Sequence, residues 1–187
     1  MKVGVLALQG SFSDHVKILK KCRVDPVEVR LPKDLDEVSG LILPGGESTT
    51  IIKLMKLYGL DKAIIDKYNK GMPIYGTCAG AILLSKNIVD SKQESLNLVD
   101  ISIKRNAYGR QIDSFEAELE IEEIGKFKGI FIRAPVIEST NNGVNILATF
   151  ENKAVMIEQK NILISTFHPE LTEDTRVHKY FLNKIKE

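Results

Sequence analysis

Cys78 is the residue whose neighbours best suit it to do chemistry. It lies in Gly76-Thr77-Cys78-Ala79-Gly80, between the apolar run Met72-Pro73-Ile74-Tyr75-Gly76 and the helix-like Ala81-Ile82-Leu83-Leu84. A strand that turns sharply into a helix strains the backbone at the turn, and small residues two positions to either side let the chain pack that tightly. Such an elbow exposes a nucleophile beside a helix N-terminus that favours thiolate, and aims the Ala79 N–H where an oxyanion would form. Cys22, three residues after Leu19 and with no glycine near it, reads as an inert core cysteine.

A cysteine nucleophile needs a base, and the chain holds three histidines. His15 and His178 fall next to Val16 and Val177 on amphipathic helical stretches and read as solvated helical histidines. His168 follows the strand-like Ile162-Leu163-Ile164-Ser165-Thr166-Phe167, and strand ends are where open α/β sheets build their sites. Pro169 pushes His168 toward extended backbone, in which residues i and i+2 share a side, so Glu170 is expected to reach the imidazole. Cys78, His168 and Glu170 then make a triad: the carboxylate sets the tautomer and supports the imidazolium, and the imidazole moves protons between sulfur and leaving group. In Leu43-Pro44-Gly45-Gly46-Glu47-Ser48-Thr49, neither Gly-x-Gly-x-x-Gly nor a P-loop lysine accompanies the glycines. A second oxyanion donor at Gly46 is the better use of the segment than a phosphate cradle; the alternative is that the glycines simply turn the chain and Ser48 or Thr49 caps the following helix.

The elements that must hold these residues follow from periodicity. Val3 to Leu8 is a continuous apolar run, and Phe12, Val16 and Leu19 then recur at helical spacing. Val27 to Val29, Gly40 to Leu43 and Met72 to Gly76 read as strands, with a helix from Thr49 to Tyr58. Strands alternating with helices indicate βαβ units and a parallel sheet covered on both faces. From Phe115 to Glu122 apolar residues alternate with Glu116, Glu118, Glu120 and Glu122, the pattern of a strand with one wet face, so these glutamates are expected in solvent rather than in a catalytic cluster. Lys128 to Arg133, Val144 to Phe150, Ala154 to Gln159 and Asn161 to Phe167 supply further strands, and Glu173 to Lys186 a last helix. The expected architecture is a single three-layer α/β domain over residues 1–187 with a mixed, largely parallel sheet.

Composition narrows the function class. With 187 residues, 43% hydrophobic and 27% charged, the chain can bury a sizeable core. A net charge of +1 argues against broad capture of nucleic acid or anionic membrane and favours a small neutral or zwitterionic ligand. Two cysteines without a Cys-x-x-Cys pair exclude a disulfide framework and a thiolate zinc site, which fits a cytoplasmic setting. The longest uncharged stretch, Gly71 to Ser85, is 15 residues, short of the roughly 20 a membrane span needs. The six residues from Val3 to Leu8 are likewise too short for a signal peptide. No metal or bound cofactor is called for.

Five segments in order carry a resemblance: Pro44-Gly45-Gly46-Glu47-Ser48, Gly76 to Gly80, Arg105-Asn106-Ala107-Tyr108-Gly109-Arg110-Gln111, Phe131-Ile132-Arg133-Ala134-Pro135 and Thr166-Phe167-His168-Pro169-Glu170. Over essentially its whole length the chain resembles the glutaminase subunits of pyridoxal 5′-phosphate synthases, which are class I (triad) glutamine amidotransferases of flavodoxin-like fold. The resemblance implies Cys78 as nucleophile, with His168 and Glu170 completing the triad. It implies glutamine contacts from Gly46, Glu47, Ser48, Arg105, Ile132 and Arg133. Arg105 suits a bidentate grip on the α-carboxylate and Glu47 suits the α-ammonium. It further implies a hetero-oligomer in which ammonia passes to a barrel-shaped synthase subunit. Two departures from the family's usual pattern stand out: Ser11 to His15, where a small residue and a glutamate are usual, and Tyr108, where Phe is usual. Alternatives on the same architecture are a glutaminase of another pathway, such as histidine or purine synthesis, and a non-catalytic regulator. The Arg105 to Gln111 segment speaks against the first, and retention of His168 and Glu170 against the second.

Overall fold

The computed structural model describes residues 1–105, 114–141 and 143–186. Asn106 to Gln111, which includes Tyr108, lies outside the described residues. Seven strands form the main sheet: β1 (Lys2–Leu6), β2 (Asp25–Val29), β3 (Leu41–Leu43), β4 (Ile74–Thr77), β10 (Asn145–Phe150), β11 (Lys153–Gln159) and β12 (Ile162–Ser165). Their order is β10-β11-β12-β4-β3-β1-β2. The five strands from β12 to β2 run parallel and β11 and β10 close one edge antiparallel, so the sheet is mixed and largely parallel, as the alternation of elements predicts.

Period-two alternation along the buried strands sends neighbouring side chains into two cores. Val3, Val5, Ile42, Tyr75 and Leu163 pack with Leu19 of α1 (Phe12–Lys21) and with Val177 and Phe181 of α5 (Arg176–Lys184). Leu6, Leu41, Leu43, Ile74 and Ile164 face the other way, onto Ile51 and Met55 of α2 (Ser48–Leu57), Ile64 of α3 (Leu60–Asn69) and Leu83 of α4 (Ala79–Leu84). The result is three layers, helix on sheet on helix.

One α-helix and three strands are unassigned in the sequence reading. These are α3, in which Asp61, Lys62, Asp66 and Lys67 dilute the apolar stripe, and the small sheet β5 (Ser85–Ile88), β6 (Val99–Lys104) and β9 (Val136–Thr140). Among the described residues the glutamate-rich strand β7 (Ser114–Ile121) pairs only with β8 (Gly125–Ile132), as an antiparallel hairpin outside the main sheet. Leu119, Ile121, Phe127 and Phe131 anchor that hairpin in the α1/α5 core, and Glu116, Glu118, Glu120 and Glu122 are exposed as expected. No helix among the described residues is long and apolar enough to cross a membrane.

Candidate active site

β4 gives way to α4 through Cys78 alone, whose φ of 48° and ψ of −101° lie in a region that side chains avoid. Backbone strain of this kind costs on the order of 1–3 kcal/mol and persists only where neighbours over-determine it. Here the Cys78 N–H donates to the Ser165 carbonyl of β12 at 2.9 Å, and the Cys78 carbonyl accepts from Ala81 at 3.1 Å. A Cβ on Gly80 would stand 2.1 Å from the Leu43 carbonyl oxygen, so glycine is required for α4 to start this close to β3. The sharp elbow read from the sequence is therefore present, and the Sγ lies 3.9 Å from the Ile132 carbonyl at the end of β8.

His168 is held from two sides. Its backbone N–H donates to the Ile130 carbonyl of β8 at 2.8 Å, tying the strand end to the hairpin. A Cβ on Gly45 would come within 2.4 Å of the imidazole Cε1, so the bare Gly45 lets the ring lie against the loop after β3. His168 Nδ1 and Glu170 Oε1 are 2.7 Å apart. The pairing expected from the sequence is present, but not by the expected route. Past His168 the chain enters a 3-10 turn, Pro169–Leu171, and this turn, rather than extended backbone, swings Glu170 back onto the ring.

Burial alone would push the His168 imidazole toward neutrality, yet its hydrogen bonds to Cys78 and Glu170 and the charges of both raise its pKa to about 10. Burial would likewise raise the Glu170 carboxyl, but the field of His15, the bond to His168 and the charge of His168 hold it down to about 2. Burial also drives His15 below its ordinary value and His178 to about 3, so both are neutral near pH 7. With His15 and His178 neutral, the full positive charge left beside Glu170 is that of His168.

In front of the sulfur lies a cavity of about 380 Å³. Gly46, Glu47, Ser48, Cys78, Ala79, Arg105, Ile132, Arg133 and His168 line it, and Glu170 stands behind His168, away from the opening. Residues from five separate segments thus meet at one concave site. Within it Arg105 Nη2 donates to Glu47 Oε1 at 2.9 Å. Glu47, rather than Ser48 or Thr49, caps α2: its side chain accepts from the Thr49 N–H at 3.4 Å and the Thr49 hydroxyl at 2.9 Å. Ser48 is buried and donates to Gln93 Oε1 at 3.0 Å. Arg133 adopts a φ of 41°, a second strained residue at the rim. Among the described residues no group of three or more His, Cys, Asp or Glu side chains is arranged to hold a metal ion.

A family model, that of the SNO glutamine amidotransferase family, matches residues 5–187. The chain belongs to the SNO glutamine amidotransferase family. It is similar to the pyridoxal 5′-phosphate synthase subunit PdxT of Thermosipho africanus, at 50% identity over 188 positions covering 100% of both chains. The protein of the same name from Thermotoga neapolitana is 52% identical over 188 positions, again covering 100% of both. Among solved structures, a crystal structure described as a glutamine amidotransferase shares 46% identity with a TM-score of 0.96, covering 99% of each chain. PurLQS from Thermotoga maritima, at 18% identity and a TM-score of 0.76 over 97% of each chain, shares the fold. The class I glutamine amidotransferase-like α/β architecture expected from the sequence is the one this chain has.

This glutamine amidotransferase has one polar cluster that the sequence reading assigns wrongly. His15 and His178 are not solvated: both are completely buried. The signal was available in the spacing, since His15 lies three and four residues before Ile18 and Leu19, and His178 three and four before Phe181 and Leu182. Each histidine thus shares the buried stripe of its helix. His15 Nδ1 meets His178 Nε2 at 3.0 Å, and His15 Nε2 meets Thr77 Oγ1 at 3.1 Å and faces Glu170 Oε1 at 3.5 Å. Ser11, at a departure from the usual family pattern, donates its hydroxyl to the same Glu170 oxygen at 3.0 Å.

Proposed function

We propose that this chain hydrolyses the side-chain amide of glutamine through Cys78, His168 and Glu170, and that it hands the ammonia to a synthase subunit assembling pyridoxal 5′-phosphate. The observation that carries the reading is the strained Cys78 elbow in one cavity with the His168–Glu170 pair. The full-length likeness to proteins named as pyridoxal 5′-phosphate synthase subunits supplies the pathway.

The Arg105–Glu47 pair marks where the amino-acid end of the substrate sits. The α-carboxylate of glutamine takes the guanidinium and its α-ammonium takes the Glu47 carboxylate, exchanging one ion pair for two charge-assisted contacts. Gly46, Ser48, Ile132 and Arg133 line the rest of the cavity and complete the glutamine contacts. His168 holds the proton of Cys78, and the sulfur attacks the carboxamide carbon. The N–H groups of Gly46 and Ala79 receive the developing oxyanion. The C–N bond breaks as His168 gives its proton to the departing nitrogen, leaving a thioester and ammonia. His168 then takes a proton from water, the hydroxide adds to the thioester and the C–S bond breaks to release glutamate, and His168 returns its proton to sulfur. Glu170 holds Nδ1–H throughout, so that Nε2 faces the reaction. Residues 1–187 act as one amidotransferase domain, and the barrel-shaped synthase partner joins it in a hetero-oligomer.

The two half-reactions separate experimentally. A complex carrying Cys78→Ala is expected to lose glutamine-dependent pyridoxal 5′-phosphate formation and to keep formation driven by added ammonium salt, while Cys22→Ala leaves both intact. Failure of ammonium to rescue an assembled Cys78→Ala complex would mean that this chain takes part in the synthase chemistry itself.

A further inference from the structure

We infer that His15, backed by His178, is a positioning residue of this site: a fully buried imidazole whose Nε2–H faces both the Glu170 carboxylate and the Thr77 hydroxyl, tying the acid of the triad to the nucleophile elbow. The inference rests on the triad reading above and concerns residues behind the triad that never meet substrate.

The geometry gives the histidine pair a direction. His15 reaches from α1 and His178 from α5, and their facing nitrogens are 3.0 Å apart. Tyr75 of β4 packs edge-on against both rings, and Asp14 is the acidic neighbour on α1 itself. The only charged groups that the strand-end turn turns toward them are Glu170 and, beyond it, His168. At 3.5 Å from a carboxylate oxygen, His15 Nε2 is better as an N–H than as a lone pair. That tautomer makes His15 Nδ1 an acceptor, so His178 Nε2 must be the donor, and His178 Nδ1 is left as a bare acceptor. His178 Nδ1 is indeed buried with no hydrogen-bond partner among the described residues. An orphaned acceptor is the cheaper of the two possible orphans. Both N–H dipoles therefore point the same way, toward Glu170.

Packing alone does not account for two buried imidazoles, because an aliphatic or phenyl side chain fills such space without desolvating ring nitrogens. The arrangement gains a carboxylate that cannot wander. Glu170 Oε1 receives His168 Nδ1 at 2.7 Å and the Ser11 hydroxyl at 3.0 Å, with His15 Nε2 facing it at 3.5 Å, whereas Oε2 is buried with no partner among the described residues. All support falls on the oxygen that holds His168. Through Thr77 the same imidazole touches the residue preceding Cys78, so acid and nucleophile are referenced to one rigid point.

The test uses steady-state glutamine hydrolysis by the full chain in complex with its synthase subunit, together with the far-downfield proton resonance of His168 Nδ1–H in the full chain. His15→Leu is expected to lower kcat about tenfold to a hundredfold with KM for glutamine within about twofold, and to broaden the resonance away. His15→Gln, whose amide nitrogen can stand near the place of Nε2 and face Glu170, should keep kcat within about fivefold and retain the resonance. His15→Asn, whose amide nitrogen stands near Nδ1 and faces His178 instead, should behave as Leu does. If His15→Leu fails to fold, the Gln and Asn pair decides. Equal activity and equal resonance in these two, or an unaltered kcat in a folded His15→Leu, overturns the inference. Failure of the triad reading is distinguishable, because it would show as a wild-type complex without glutamine turnover, whatever stands at position 15.

Discussion

Glu116 and Glu118 on β7 and Glu170 after β12 are the same side chain in two opposite settings. On the hairpin, Glu116 pairs with Lys128 at 2.6 Å and Glu118 with Lys126 at 3.2 Å, with all four side chains more than half exposed. Exposed pairs of this kind are worth about 0–1 kcal/mol, since water screens them and both long side chains must be immobilised. Glu170 is sealed behind His168, its partner is itself buried, and each holds the other in its charged form. A carboxylate's chemistry is set by what surrounds it, and the longer row of glutamates is the one left in water. The hairpin nevertheless serves the site, because its far end supplies the Ile130 carbonyl that anchors His168 and the Ile132 carbonyl near the sulfur.

Breaking the buried side of this contrast should have the largest effect. Glu170→Gln is expected to lower kcat about 10³-fold with the fold intact, because the amide cannot stabilise the imidazolium or impose the same tautomer, and a kcat within about fivefold of wild type would dismiss the contrast. The same variant carries a pH signature. His168, raised to about 10 from an ordinary 6.5, contributes stability that is complete below pH 6.5 and fades as pH rises through 10. Glu170, lowered to about 2 from 4.5, contributes stability that is complete above pH 4.5 and fades as pH falls through 2. The melting-temperature difference between wild type and Glu170→Gln should therefore be greatest between pH 4.5 and 6.5, at about 4–8 °C, and shrink toward pH 10.

Next in size is the anchor between hairpin and site. Phe131 is fully buried, stacked on Phe115 at 4.6 Å between centroids and close to Phe150 and Phe167 at 5.7 Å each. Phe131→Ala should cost about 3–5 kcal/mol in denaturant unfolding. It should also lower kcat, because the strand that carries Ile130 and Ile132 loses its hold. Full activity in a destabilised Phe131→Ala protein would separate the hairpin from the site. The smallest effect belongs to the wet face: Glu116→Gln and Glu118→Gln should each change stability by no more than about 0.5 kcal/mol and leave glutamine hydrolysis unchanged.

What the sequence determined by itself is local in the chain. The elbow at Cys78 is written in consecutive residues, because a strand, a turn and a helix must succeed one another there. The His168–Glu170 contact spans two residues, and the alternating glutamates of β7 declare their own exposure. The resemblance added Arg105, Ile132 and Arg133, which one cavity brings together with the elbow. Tertiary structure alone decided what lies across large separations. It joined Arg105 to Glu47 over 58 positions, and it packed α1 against α5 so that His15 and His178 meet over 163. Helical spacing could place each histidine on a buried stripe, but no local pattern says which stripe faces which. That pairing depends on the strand order, which brings β1, β3, β4 and β12 side by side and closes both helices over one face. The 3-10 turn at Pro169 was hidden for the same reason, since its direction is imposed by the β8 carbonyl that captures the His168 N–H.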